Sequence, residues 1–159
     1  MKKYLLLLLL LFCTSCIQGK YQKAIAKMEP VKGSKISGII YLKQEKNGVL
    51  LEAEFENLNR KLHAFHIHAN GDVTKNDGSG TGAHYYGKGY DEGDQIIGNL
   101  GNVKRISKNS KYQDFLENLT IDEIAGRSMV IHAKMGSKKY SKFINSGKRI
   151  ATGVIGIIE

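Results

Sequence analysis

Three of the chain's five histidines fall in the six-residue run His63-Ala64-Phe65-His66-Ile67-His68. His66 and His68 are two apart, so on a strand both point to one face and stand side by side on a rigid backbone. His84 follows in a glycine-rich stretch, and His132 closes a later apolar run. Four imidazoles drawn from two strands and a loop suit a borderline transition metal, and spacing alone leaves copper and zinc both open. A single histidine is more often a hydrogen-bonded structural residue than a ligand. The same-face pair is what carries the metal reading.

The elements that must position these rings read as strands. Lys35 to Leu42 is β-rich, Asn47-Gly48 is a two-residue hairpin signal, and Val49 to Phe55 alternates in its second half. Leu62 to His68 alternates as well, Ile96 to Ile106 has strand composition, and Ser128 to His132 is a short apolar strand. Asp114 to Ile124 fits either a strand or a short helix. Thr152 to Ile158 reads as a buried closing strand. Two stretches stand apart: Asn70 to Gly93, rich in glycine and aspartate, and the basic run Ala133 to Lys148. Loops this long inside a small domain usually carry function. Many short strands separated by turn signals predict an all-β, antiparallel sandwich or barrel.

The first sixteen residues read as an export signal. Met1-Lys2-Lys3 is a positive start, Leu5 to Leu11 an apolar run too short to span a bilayer, and Thr14-Ser15-Cys16 a small-residue end. Ser15-Cys16 resembles a bacterial lipoprotein cleavage site, which makes Cys16 the lipidated first residue of the mature chain. Residues 17–22 are then a tether and residues 23–159 the domain. Both cysteines, Cys13 and Cys16, lie in this leader, so the mature domain has no disulfide. Without Lys2 and Lys3, 22 basic residues face 15 acidic ones, a net +7. Such a surface suits nucleic acid, anionic lipid or a small anionic substrate, and export excludes nucleic acid.

Five segments together resemble one family. Ala64-Phe65-His66-Ile67-His68 followed by Gly71-Asp72 is similar to the copper signature of the copper/zinc superoxide dismutases. Gly82-Ala83-His84-Tyr85, Gly98-Asn99-Leu100-Gly101-Asn102-Val103, Gly126 to His132, and Gly147 to Ile157 resemble the family's later motifs, in order. The resemblance spans roughly residues 23–158. It implies an eight-stranded Greek-key barrel with two long loops over the metal. It further implies that His66, His68, His84 and His132 bind copper, that Arg149 attracts superoxide, and that His63 ties a loop to the barrel. The implied reaction converts superoxide to oxygen and hydrogen peroxide, with His84 supplying a proton. Lys134, Lys138, Lys139, Lys142 and Lys148 are placed to steer the anion.

The chain departs from the family at the zinc site. Where the resemblance implies a zinc-ligating histidine and aspartate, Ile96 and Asn99 stand, and no histidine lies between His84 and His132. An aliphatic side chain and a neutral amide do not hold zinc. Thr152 occupies the position of a family cysteine. The chain therefore reads as a copper-only, zinc-free member, fed by a copper donor. Some other group must orient the far nitrogen of His84, and Asp94 is the candidate among Asp91, Glu92 and Asp94. The rival reading is a copper-storage lipoprotein on the same fold; the mature chain's scattered methionines, Met28, Met129 and Met135, disfavour it.

Overall fold

The computed structural model describes residues 19–87 and 96–158. The leader with Cys13 and Cys16, and the acidic residues Asp91, Glu92 and Asp94, lie outside the described residues. Among the described residues, contacts with the domain begin at Gly19, which lies against Gln44, Thr120 and Asp122; Tyr21 packs on the core, and the Gln22 carbonyl accepts from the Gln44 N–H at 2.8 Å.

The strands are β1 Lys23–Pro30, β2 Ser37–Glu45, β3 Gly48–Glu56, β4 Leu62–His68, β5 Asn99–Lys104, β6 Asn109–Glu117, β7 Ser128–His132, β8 Arg149–Val154 and β9 Gly156–Ile158. All pairings are antiparallel, in the order β5-β4-β7-β8-β1-β2-β3-β6, with β9 added to β1. β5 and β6 meet across the remaining seam, where the Tyr112 hydroxyl donates to the Leu100 carbonyl at 3.2 Å. The result is a nearly closed eight-strand barrel, as the sequence predicts.

Alternation explains the barrel's interior. In β3, Val49, Leu51, Ala53 and Phe55 point inward while Glu52, Glu54 and Glu56 face water. Phe55, Phe65 and Tyr112 stack edge to face in the core at 5.6 and 5.7 Å between centroids. β4 and β7 differ because both of their faces are covered. Phe65, Ile67, Met129 and Ile131 line the core, while His66, His68 and His132 are buried on the outer face beneath the two long loops. The metal-capable residues thus lie outside the barrel wall, not within it.

Three local expectations change. Glu45 pairs with Gly48, so the hairpin turn is Lys46-Asn47, one residue earlier than Asn47-Gly48. Gly48 belongs to β3, where a Cβ would strike the Leu116 carbonyl of β6. The closing strand is two strands. The chain breaks at buried Ile155, which exchanges backbone hydrogen bonds with Gly126 and Arg127, and β9 is exposed where it pairs with the start of β1. The ambiguous 114–124 stretch is the end of β6 followed by one helical turn, α1 Ile121–Ile124, held by a Thr120–Glu123 capping box.

Phe65 sits between the histidines of β4 and fills the barrel beneath them. Replacing it with alanine is expected to cost about 3–5 kcal/mol. Urea denaturation of the metal-free protein checks this; a loss below about 1 kcal/mol would contradict the packing described.

Candidate metal centre

Each ring of the cluster arrives by a different constraint. His66 and His68 are two residues apart on β4 and share its outer face. His132 ends β7, whose Val130 pairs with His66. His84 is brought in by an isolated bridge to His68, with Tyr85 N–H donating to the Ile67 carbonyl at 2.9 Å. Gly98 makes that approach possible, since a Cβ there would strike the Tyr85 carbonyl.

One ligand-capable atom from each of His66, His68, His84 and His132 lies within 4.8 Å of all the others. His68 Nδ1 is 2.9 Å from the Gly82 carbonyl and His132 Nδ1 is 3.1 Å from the Gly147 carbonyl. A carbonyl only accepts, so both Nδ1 atoms carry the proton and both Nε2 atoms present a lone pair. Those two Nε2 atoms are 3.2 Å apart. His66 is fully buried, and neither of its ring nitrogens has a hydrogen-bond partner. Neutral imidazoles facing each other, one of them fully buried with both nitrogens unpaired, fit a transition-metal ion.

Burial is the main reason these rings stay unprotonated. It lowers His66 furthest, with the neighbouring histidines adding to the effect. It brings His68 to about 3, although the Gly82 carbonyl opposes the shift. His84 and His132 are brought to about 4, with Arg149 contributing to both. His63, by contrast, is a tie. Its Nδ1 donates to the His132 carbonyl at 2.8 Å and its Nε2 accepts from the Arg60 N–H at 3.2 Å.

Arg149 lies beside the cluster. Its Nη2 donates at 2.7 Å to the same Gly82 carbonyl that orients His68, and its buried Nε has no partner. Of the five lysines, Lys134, Lys138, Lys142 and Lys148 are exposed. Lys139 is not available for steering: its ammonium is 2.7 Å from Asp114 and donates to the Phe115 carbonyl.

Two features escape a reading of spacing. Phe143 stacks face to face on His84, with centroids 3.6 Å apart, and meets His66 edge-on at 4.8 Å. It is the single phenylalanine of the basic loop, and that isolation is its only sequence signal. Asn99 is fully buried, and its Nδ2 lies 2.8, 3.0 and 2.7 Å from Ser137 Oγ, the Lys138 carbonyl and the Ser141 carbonyl. Its Oδ1 accepts from the Gly101 N–H at 3.0 Å. The residue is a clasp on the second loop. Ile96 beside it is buried and apolar.

Residues 36–155 match the model of the copper/zinc superoxide dismutase family. The chain belongs to that family. It is 34% identical over 147 residues to a Cu-Zn superoxide dismutase of Onchocerca volvulus, covering 80% of this chain and 92% of the relative. It is 33% identical over 156 residues to an extracellular Cu-Zn superoxide dismutase of Brugia pahangi, covering 87% and 77%. Superoxide dismutase [Cu-Zn] 1 of Debaryomyces hansenii is 32% identical over 145 residues, covering 79% and 93%.

The histidine shifts set a pH dependence for the metal-free family member. Folded His84 and His132 take up protons near pH 4 and His68 near 3, whereas an unfolded histidine does so near 6.5. Between these values the unfolded chain binds more protons, so stability falls as pH drops from about 6.5 toward 4. Thermal scans should give a midpoint several degrees lower at pH about 4.5 than at about 7.5. An equal midpoint would contradict the buried, neutral cluster.

Proposed function

We propose that the chain disproportionates superoxide at a single copper ion bound by His66, His68, His84 and His132, with no zinc beside it. The observation that carries this reading is the buried, unpartnered His66 ring among four converging neutral imidazoles. The family match and its relatives support the substrate and the metal class. Copper, when bound, supplies the one-electron chemistry by which one superoxide becomes oxygen and another hydrogen peroxide.

The remaining work falls to this chain's side chains. His68 and His132 are pre-oriented by backbone carbonyls, so neither ring has to turn to offer its lone pair. Arg149 contributes a fixed positive charge next to the cluster, held by Gly82, and draws in an anionic substrate. His84 is the least buried of the four, and among the described residues neither of its nitrogens is hydrogen-bonded. It is the ring able to exchange a proton with water. The exposed lysines of the second loop add long-range attraction that salt screens.

The zinc-free reading rests on Asn99 and Ile96. The Asn99 nitrogen faces two carbonyls and a hydroxyl and its oxygen accepts from the Gly101 N–H, so the amide is tied to the protein at both ends and carries no charge to offset a cation's. Asp94 remains the candidate carboxylate partner for His84. We also infer export and lipid anchoring through Cys16, with a copper donor in the envelope. The leader's charge and leucine run support this, and the Brugia pahangi relative is an extracellular protein by name.

The test is superoxide decay measured on purified domain loaded with copper, with and without excess zinc. The expected result is copper-dependent, zinc-independent activity; bound copper without turnover would favour the storage reading, and activity that requires zinc would overturn the single-metal reading. Arg149→Ala should lower the rate about tenfold or more and flatten its salt dependence. In the source cell type, Cys16→Ser should move the protein out of the membrane fraction; retention in that fraction would refute the anchor.

A further inference from the structure

If one metal suffices, something else must hold His84. A histidine on a loop, with neither nitrogen hydrogen-bonded among the described residues, needs another contact to fix its plane against turning about its side-chain torsions. His68 and His132 have backbone carbonyls for this purpose. Among the described residues, His84 meets His66 and His68 edge-on at 4.7 Å, and the ring stacked on its face is Phe143, parallel to within 28° and 3.6 Å away between centroids. Phe143 is itself braced edge-on by Tyr86 at 5.8 Å and by His66 at 4.8 Å.

We propose that Phe143 is a positioning residue that fixes the plane of the His84 ring for copper, and that the Asn99 clasp seats the loop that carries it. This rests on the single-metal reading above. The clasp ends two residues before Phe143, at the Ser141 carbonyl. Its backbone joins in, since Tyr140 N–H donates to the Asn99 carbonyl at 2.9 Å. Asn102 repeats the device three residues along β5, past an irregularity in the β4–β5 register: its Oδ1 accepts from Gly136 N–H at 2.7 Å, and its Nδ2 donates to the Gly136 and Ser137 carbonyls at 3.2 Å. Two buried or half-buried amides thus hold residues 136–141 against β5.

Stacking has a chemical consequence that a carbonyl or a second cation would not. It restrains the ring's plane while engaging neither nitrogen. One nitrogen of His84 can then serve the metal while stacking leaves the other available for a proton, shared with water or with the Asp94 carboxylate proposed above. Phe143 does not touch the reacting oxygen atoms in this account; it acts through His84.

The test uses full-length protein loaded with copper. The variants are Phe143→Ala, Phe143→Leu, which keeps apolar bulk without a ring face, and Phe143→Tyr. The readouts are the electron paramagnetic resonance spectrum of the Cu(II) form, copper affinity by competition with a chelator, and metal content after exposure to both copper and zinc. Wild type and Phe143→Tyr should each give one Cu(II) signal. Phe143→Ala and Phe143→Leu should give a heterogeneous signal and bind copper about 3- to 10-fold more weakly, the effect of losing one stacked ring pair. If Phe143→Ala does not fold, Phe143→Leu carries the test alone. A single unchanged signal with unchanged affinity in the leucine variant overturns the proposal while one copper per chain leaves the single-metal reading standing. One copper and one zinc per wild-type chain would overturn both.

Discussion

His66 is wholly buried on the outer face of β4, and neither of its nitrogens reaches a hydrogen-bond partner. A buried polar group left unpaired costs about 1–3 kcal/mol, so proteins seldom keep one without use for it. The surroundings show what makes it tolerable. Three more imidazoles converge on it, two of them with their protons parked on backbone carbonyls so that lone pairs face inward. Burial keeps the set neutral, so it neither repels a cation nor binds protons at ordinary pH. The two loops, the Gly82 carbonyl and the Arg149 guanidinium are all arranged around this one costly ring.

The Gly82 carbonyl shows how few contacts link the parts. It accepts from His68 on β4 and from Arg149 on β8, while Gly82 itself belongs to the first loop. One oxygen therefore sets the tautomer of a metal-capable ring and the place of the charge that would attract an anion. Gly82 adopts a left-handed conformation there, with φ of 72°, which glycine accepts without strain. The second loop is held by a different device, in which the amides of Asn99 and Asn102 read its backbone. A carboxylate at Asn99 would turn acceptor toward acceptor, and would be acceptable only with a cation between them. A neutral clasp and a second metal are thus alternative solutions to one problem.

The barrel is legible wherever one strand face meets water, because alternation then marks the inward set, as in Val49, Leu51, Ala53 and Phe55. It is less legible in β1, where Ala24 and Ala26 do the inward packing with side chains of low strand preference. The turn register slipped by one because Gly48 answers to the neighbouring Leu116 carbonyl rather than to the turn. His66, His68, His84, His132 and Arg149 stand out as a group through spacing and family resemblance. Asn99 is legible only as a ligand lost; what it does instead depends on carbonyls some forty residues away, and no periodicity records them. Phe143 is hidden for the same reason, since its partner His84 lies on the other loop.

The central claim is that one metal, held by four histidines and braced by neutral side chains, replaces a two-metal site. Diffraction from crystals grown with both copper and zinc, measured at each element's absorption edge, tests it most directly. One anomalous peak, copper, is expected among His66, His68, His84 and His132, with the Asn99 amide still hydrogen-bonded to the second loop. A zinc peak between His84 and Asn99, or copper bound away from His66, would contradict it.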